Sequence, residues 1–104
     1  MDLEFIRPDE LLQMLGERLR KERLAQHITQ ADLAARAGVG VNTLSNLEAG
    51  RNTAFDVVVR VAMALGRRDE LEALFKPRLN SLEDIRRYEV AAQRARVRRG
   101  VPDA

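Results

Sequence analysis

The stretch from Thr29 to Gly50 constrains the fold more than any other part of the chain. The Thr29 hydroxyl is placed to accept a hydrogen bond from the backbone N–H of Asp32, and the Asp32 carboxylate can reach back to the N–H of Thr29. Ile28 and Leu33 flank this capping box as a hydrophobic staple. The pattern therefore predicts that a helix begins directly after Thr29.

A second short helix is predicted to follow after a glycine turn. Gly38 ends the first helix, because glycine readily adopts the left-handed backbone conformation of a helix end. Leu44 and Leu47 then face inward, and Gly50 closes the second helix. The outward side carries Val41, Asn42, Ser45 and Asn46. Two short helices around a glycine turn describe a helix-turn-helix.

These motifs resemble a known family. The segments Thr29-Gln30-Ala31-Asp32-Leu33-Ala34 and Thr43-Leu44-Ser45-Asn46-Leu47-Glu48-Ala49-Gly50-Arg51, with Gly38 between them, are similar to the Cro/CI-type (XRE family) helix-turn-helix. The resemblance covers roughly residues 10–66. It implies an all-α fold: a five-helix lambda-repressor-like DNA-binding domain, here with a C-terminal helical, Arg-rich extension. It also implies sequence-specific double-stranded DNA binding by a dimeric transcriptional regulator, most often a repressor.

The resemblance assigns a DNA-binding role to ten positions. The helix 41–48 would lie in the major groove, and its base-reading residues would be Val41, Asn42, Thr43, Ser45 and Asn46. The phosphate-binding residues would be Thr29, Gln30, Gly40, Arg51 and Asn52. Since asparagine can bond adenine and valine can meet a thymine methyl, we expect a preference for A·T pairs. Glu48 is assigned a structural role.

Gly40 departs from the commoner family pattern, in which Ser or Thr is frequent at this position. Glycine can still act as an N-cap, but it lacks a hydroxyl that would touch phosphate. Base readout is therefore expected to be sparser, and DNA shape to contribute more.

The remaining helices are predicted from apolar spacing. The first runs from Pro8 to about Leu24, with an inward stripe of Leu12, Leu15 and Leu19 and an outer face of Arg18, Arg20, Lys21 and Arg23. The fourth is capped by Thr53, buries Phe55, Val58, Val61, Ala62 and Leu65, and stops at Gly66. The fifth spans Asp69 to Phe75, closes the bundle with Leu71, Leu74 and Phe75, and is broken by Pro77.

The C-terminal segment has a different composition. Ser81 is placed to cap a last helix with Asp84 at its third position, and Arg86 to Arg99 contains six arginines against Glu89 alone. We expect a helix to about Arg94 followed by fraying. The predicted organisation is an arm over residues 1–8, a DNA-binding domain over 9–76, and a helix with a basic tail over 77–104.

Composition narrows the functional classes. The 104 residues carry a net charge of only +2 and no cysteine, and the single histidine, His27, has no metal-ligand partners nearby. We therefore expect no catalytic residues, metal or cofactor, and no enzyme activity. No apolar run approaches the roughly 20 residues of a membrane span, so we expect no membrane association and a cytoplasmic, nucleoid-associated protein.

The expected partners are a palindromic DNA operator and a second copy of the chain. A dimer would place two reading helices about 34 Å apart, one turn of duplex. Helix five and the C-terminal helix are the expected dimer surface. An alternative is an antitoxin that binds its own operator and neutralises a kinase-type toxin, since the Gly50–Thr53 loop and the Arg-rich tail resemble regulators that partner HipA-type kinases. A controller protein of a restriction–modification system is a third reading.

Overall fold

The described part of the chain is all-helical, as predicted. A computed structural model describes residues 5–100, with side chains up to Val97, so the first half of the predicted arm and the last four residues of the tail lie outside the described residues. The elements are α1 (Pro8–Ala25), α2 (Gln30–Ala37), α3 (Val41–Glu48), α4 (Phe55–Ala64), α5 (Arg68–Ala73) and α6 (Leu82–Gly100). The chain forms two compact units, which divide between Glu72 and Ala73.

The core of the first unit lies between α2, α3 and α4. Its largest fully buried side chains are Leu33, Leu44 and Val61, one from each of these helices. The predicted staple residues Ile28 and Leu33 both belong to this buried cluster, whose other members are Ala34, Ala37, Leu47 and Leu65. Apolar side chains at helical spacing therefore pack the two short helices of the motif, α2 and α3, against α4.

The ends of α2 and α3 follow the local signals in the sequence. The Thr29 hydroxyl accepts from the backbone N–H of Asp32 over 3.1 Å, and this bond caps α2. Among the described residues, the expected return bond from the Asp32 carboxylate to Thr29 is not formed. Gly38 ends α2 with a φ of 70°, in the left-handed conformation predicted for it, and Gly50, one residue after the C-cap of α3, has a φ of 75°.

The inward face of α1 was predicted wrongly. Leu12 and Leu15 are 42% and 44% exposed, and of that stripe only Leu19 packs against the core. The buried residues of α1 are Gly16 and Arg23 instead, so the prediction that Arg23 lies on the outer face is wrong. The face of α1 that packs against the motif is centred on a close helix contact and a buried charge, which a leucine-based pattern does not detect.

The sequence also misplaced parts of α4 and α5. The N-cap of α4 is Ala54, without a side-chain hydrogen bond, and not Thr53. Phe55 is 65% exposed because it stands at the first position of the helix. α5 ends at Ala73, before Leu74 and Phe75, which are 47% and 87% exposed and do not close a bundle.

The second unit contains the long helix α6. The Ser81 hydroxyl accepts from the Asp84 backbone N–H over 3.1 Å, as predicted. The helix continues to Gly100, so the expected fraying after Arg94 is wrong. Alanine and arginine are both strong helix formers, which accounts for the continuation.

Candidate DNA-binding surface

The outer edge of α3 is exposed, while its inner edge is fixed in the core. Leu44 and Leu47 are buried, and Val41 and Asn42 at the start of the helix are exposed, Val41 by 45%. The other three predicted base-reading residues are partly buried: Thr43, Ser45 and Asn46. The structure thus leaves a short polar edge accessible on a helix that packing prevents from rotating.

A close backbone contact between α1 and the end of α3 fixes the distance between these two helices. A Cβ atom added to Gly16 of α1 would lie 2.3 Å from the carbonyl oxygen of Leu47. A Cβ added to Gly50 would lie 2.5 Å from the Cα of Gln13. Because both obstacles are backbone, neither site has room for a side chain, and glycine at the two positions allows the helices to approach closely.

A buried ion pair ties the same two helices together. Arg23 Nε donates to Glu48 Oε2 over 2.7 Å, and Arg23 Nη2 donates to Glu48 Oε1 over 3.0 Å. Arg23 Nη1 also donates over 2.9 Å to the carbonyl oxygen of Ile28, the residue before the N-cap of α2. The two side chains are only 9% and 3% exposed. The paired geometry and the additional hydrogen bond satisfy a charge that would otherwise be costly to bury.

Gln30 extends this network to the surface. Its Nε2 donates to Glu48 Oε1 over 2.9 Å, so the first residue of α2 is bonded to the last residue of α3. The amide nitrogen carries two hydrogens, and this bond uses one of them. Gln30 is half-buried, and a second donor remains for a ligand at the N-terminus of α2.

The N-termini of the two motif helices carry the other predicted phosphate ligands. Thr29 is exposed, and its hydroxyl oxygen is engaged as an acceptor in the α2 cap, which leaves its hydrogen to donate. Gly40 is the N-cap of α3, has no side-chain cap and is exposed. Backbone N–H groups and the helix dipole at such N-termini favour anions.

Two predicted ligands beyond α3 adopt different arrangements. Asn52 is exposed. Arg51 donates from Nη1 to Oδ1 of Asn46 over 2.9 Å, and its backbone N–H donates to the Asn46 carbonyl oxygen over 2.9 Å. A predicted phosphate ligand and a predicted base reader therefore contact each other.

A surface cluster of charges links α1 to the start of α5. Arg67 forms ion pairs with both Glu22 and Glu70. The hydrogen bond from Arg67 holds the pKa of the Glu70 carboxyl below its ordinary value, and the same bond raises the pKa of Arg67. Both shifts favour the charged forms of Arg67 and Glu70.

The described part of the chain offers neither a candidate metal site nor a candidate membrane-spanning helix. It contains no group of three or more metal-binding side chains. None of its helices combines the length and the apolar character needed to cross a bilayer.

Two helices joined by a tight glycine turn, the second presenting a rigid polar edge beside two helix N-termini, define a helix-turn-helix DNA-binding domain. A family model described as helix-turn-helix (HTH_3) matches residues 19–71, half of the chain. The chain belongs to this family, the Cro/CI-type (XRE) helix-turn-helix proteins. It is accordingly a sequence-specific DNA-binding protein of the transcriptional regulator class. The match ends within α5, so α6 lies outside it.

Sequence reasoning missed Gly16 and the partner of Glu48, although one signal was available. Glu48 is the only charged residue of α3 and stands four positions after the buried Leu44, on the inward side. Arg23 stands four positions after Leu19 in the same way. Opposite charges on two inward faces indicate a buried pair.

Proposed function

We propose that α3 enters the major groove of an operator and that its N-terminal half reads base edges. The observation that supports this most directly is the exposure of Val41 and Asn42 on a helix whose other side is buried. An asparagine amide matches the donor and acceptor of adenine, and a valine methyl group matches the thymine methyl. Thr43 and Ser45 flank these contacts.

Phosphate contacts on either side of the groove would orient the helix. Thr29 and Gln30 lie at the N-terminus of α2, Gly40 at that of α3, and Asn52 directly beyond α3. Hydrogen bonds of this kind position a protein on the duplex without carrying sequence information. Binding to an operator that overlaps a promoter would make the protein a repressor, acting in the nucleoid.

The proposed functional unit is a homodimer that pairs through α6 in antiparallel orientation. Ile85, Tyr88, Ala92 and Ala95 follow the alternating three- and four-residue spacing of a coiled-coil seam. The first half of α6 carries three acidic and two basic residues, and the second half carries four arginines and no acidic residue. An antiparallel partner would bring the acidic half of each copy beside the basic half of the other, whereas a parallel partner would align the arginines. Two copies would then bind a palindromic operator.

The test is DNA binding by the full chain and by an amide-deleting variant with a matched control. Selection from random duplex DNA at moderate salt should yield one palindromic sequence with half-sites about 34 Å apart. Asn42→Ala should weaken binding to that operator and relax the preference at one base pair in each half-site. Asn80→Ala removes the same group from an exposed position in the second unit and should leave both unchanged. No enrichment of any sequence by the wild type would refute the proposal.

The dimer is tested separately. Analytical ultracentrifugation should give a dimer whose dissociation constant rises when Tyr88, on the proposed seam, is replaced by Arg. The same replacement at Gln93, off the seam, should have little effect. A monomer at micromolar concentration would contradict the proposed pairing.

The antitoxin alternative rests on the exposed arginines of α6. Arg94 and Arg96 are exposed, and an acidic surface of a toxin would complement them. Co-purification of the native protein with the product of a neighbouring gene, lost in an Arg94→Ala, Arg96→Ala variant, would favour this function. A native protein that purifies alone and still binds its operator would count against it.

A further inference from the structure

We infer that Arg51 is a positioning residue that fixes the side-chain amide of Asn46, so that Asn46 reads guanine rather than adenine in the major groove. The inference rests on the proposed entry of α3 into the groove. It assigns Arg51 a role in specificity that differs from the phosphate contact expected from the sequence.

The contact between the two side chains is geometrically definite. Arg51 Nη1 lies 2.9 Å from Asn46 Oδ1, and the backbone N–H of Arg51 lies 2.9 Å from the Asn46 carbonyl oxygen. The backbone bond holds the start of the arginine side chain one turn beyond Asn46. The guanidinium itself makes one hydrogen bond to the amide, and the backbone bond fixes the point from which its side chain starts.

The chemistry of the pair determines which way the amide points. A guanidinium can only donate hydrogen bonds, so the Asn46 atom that faces it must be the oxygen. A flipped amide would place two donors against each other. The NH₂ group of Asn46 is therefore directed away from Arg51, and Asn46 is half-buried, so few other orientations are open to it.

An amide held in this way offers its NH₂ group freely to a base, whereas its oxygen already accepts from Arg51 with one of its two lone pairs. Adenine presents an acceptor and a donor in the major groove, and a free asparagine matches both. The remaining lone pair of the Asn46 oxygen lies beside the guanidinium, so an adenine amino group that used it would be placed next to another donor and a positive charge. Guanine presents two acceptors, N7 and O6, and suits both the NH₂ group and the adjacent guanidinium.

Asn42 provides an internal comparison. Among the described residues its side chain has no hydrogen-bond partner, and it is exposed. Asn42 can thus present both its oxygen and its NH₂ group and is expected to select adenine. The two asparagines of α3 should differ in base preference because only one of them is bonded to an arginine.

The test is a selection of preferred operators by the full-length wild type, Arg51→Met, Arg51→Lys, Asn46→Ala and the Arg51→Met, Asn46→Ala double variant. The wild type should prefer guanine at one base pair of each half-site. Arg51→Met should shift that base pair toward adenine, with a change of about fivefold or more in the guanine-to-adenine ratio. Asn46→Ala should remove the preference, and the double variant should match Asn46→Ala at that base pair.

Two controls separate positioning from simple charge. Arg68→Met removes an exposed arginine that pairs with Glu72 and should leave every base preference unchanged. Arg51→Lys keeps the positive charge but not the planar guanidinium, so a phosphate contact alone would leave it close to wild type. Under the positioning role, Arg51→Lys loses most of the guanine preference.

A readout without DNA tests the same contact. In the free protein, the NMR resonances of the Asn46 side-chain NH₂ group should shift in Arg51→Met and remain unchanged in Arg68→Met. Unchanged Asn46 resonances in Arg51→Met would overturn the inference.

The outcomes distinguish this inference from the proposed function. Arg51→Met could weaken binding to all sequences equally, leave the base preferences intact and lower the slope of log K against log salt by about one. Arg51 would then be a phosphate ligand and the inference would be wrong. Wild-type selection of one operator together with an Asn46→Ala variant of unchanged preference would overturn the inference alone. Absence of any wild-type preference would overturn both.

Discussion

Removing Glu48 should destabilise the DNA-binding domain far more than removing an exposed carboxylate. Glu48 accepts three hydrogen bonds, two from Arg23 and one from Gln30. In Glu48→Met the guanidinium of Arg23 would remain buried without its counter-ion. Breaking a buried pair from one side typically costs about 3–5 kcal/mol, a large part of the roughly 5–15 kcal/mol that stabilises a typical domain.

The loss in free energy of unfolding can be measured by urea denaturation followed by circular dichroism. In thermal denaturation, a loss of this size should lower the melting temperature by roughly 12 °C or more in a domain of this length. The matched control is Glu72→Met, which removes the partner of Arg68 in a pair whose side chains are 70% and 60% exposed. That control should cost about 1 kcal/mol or less.

A double-mutant cycle isolates the interaction itself. Arg23→Met combined with Glu48→Met removes both charges, so no unpaired ion remains buried. The double variant should therefore be less destabilised than the sum of the two single variants, by roughly 1–3 kcal/mol. Additive losses, or a loss for Glu48→Met as small as that for Glu72→Met, would refute the idea that this pair holds α3 against α1.

Three further predictions concern the elements around α3. Gly16→Ala should lower the free energy of unfolding, because crowding against the Leu47 carbonyl costs about 1–3 kcal/mol and helix propensity returns only up to about 1 kcal/mol. A variant that is more stable in thermal denaturation would contradict the close contact. Gly40→Ser should raise stability by a few tenths of a kcal/mol, because the φ of −72° suits serine and the added Cβ has room, 3.7 Å from Thr43 Oγ1. The new hydroxyl should also strengthen operator binding through phosphate. Weaker binding in a fluorescence anisotropy titration would count against the proposed phosphate contact. The pKa of Glu70 is lowered in the folded state, so between the folded and the ordinary carboxyl pKa the unfolded chain binds more protons than the folded one. The stability that Glu70 contributes is therefore present above the ordinary pKa and is lost as pH falls through the lowered pKa of the folded state. Glu70→Gln should accordingly flatten the acid side of the melting temperature profile, and an unchanged profile would show that Arg67 does not perturb this carboxyl.

Local signals were sufficient where a helix begins or ends on its own chemistry. The bounds of α3 were predicted to the residue, because Gly40 is its N-cap, Gly50 follows its C-cap residue Ala49, and Leu44 and Leu47 set its inward face. The Thr29 cap and the Ser81 cap were predicted for the same reason, since each depends on a hydroxyl three residues from its partner. The ten candidate DNA ligands came from the family resemblance and remain predictions.

Tertiary packing decided what local signals could not. Apolar spacing placed Leu12 and Leu15 inward, but α1 approaches α3 so closely that the contact face needs Gly16, and the leucines are displaced to a half-exposed side. Arg23 is charged and was assigned to solvent, whereas Glu48, distant in sequence, provides the counter-ion that offsets the cost of burying it. The sequence by itself determined that two short helices meet at a glycine turn, because those signals span a few residues. How closely α3 packs against α1 depended on contacts between residues that only the folded chain brings together.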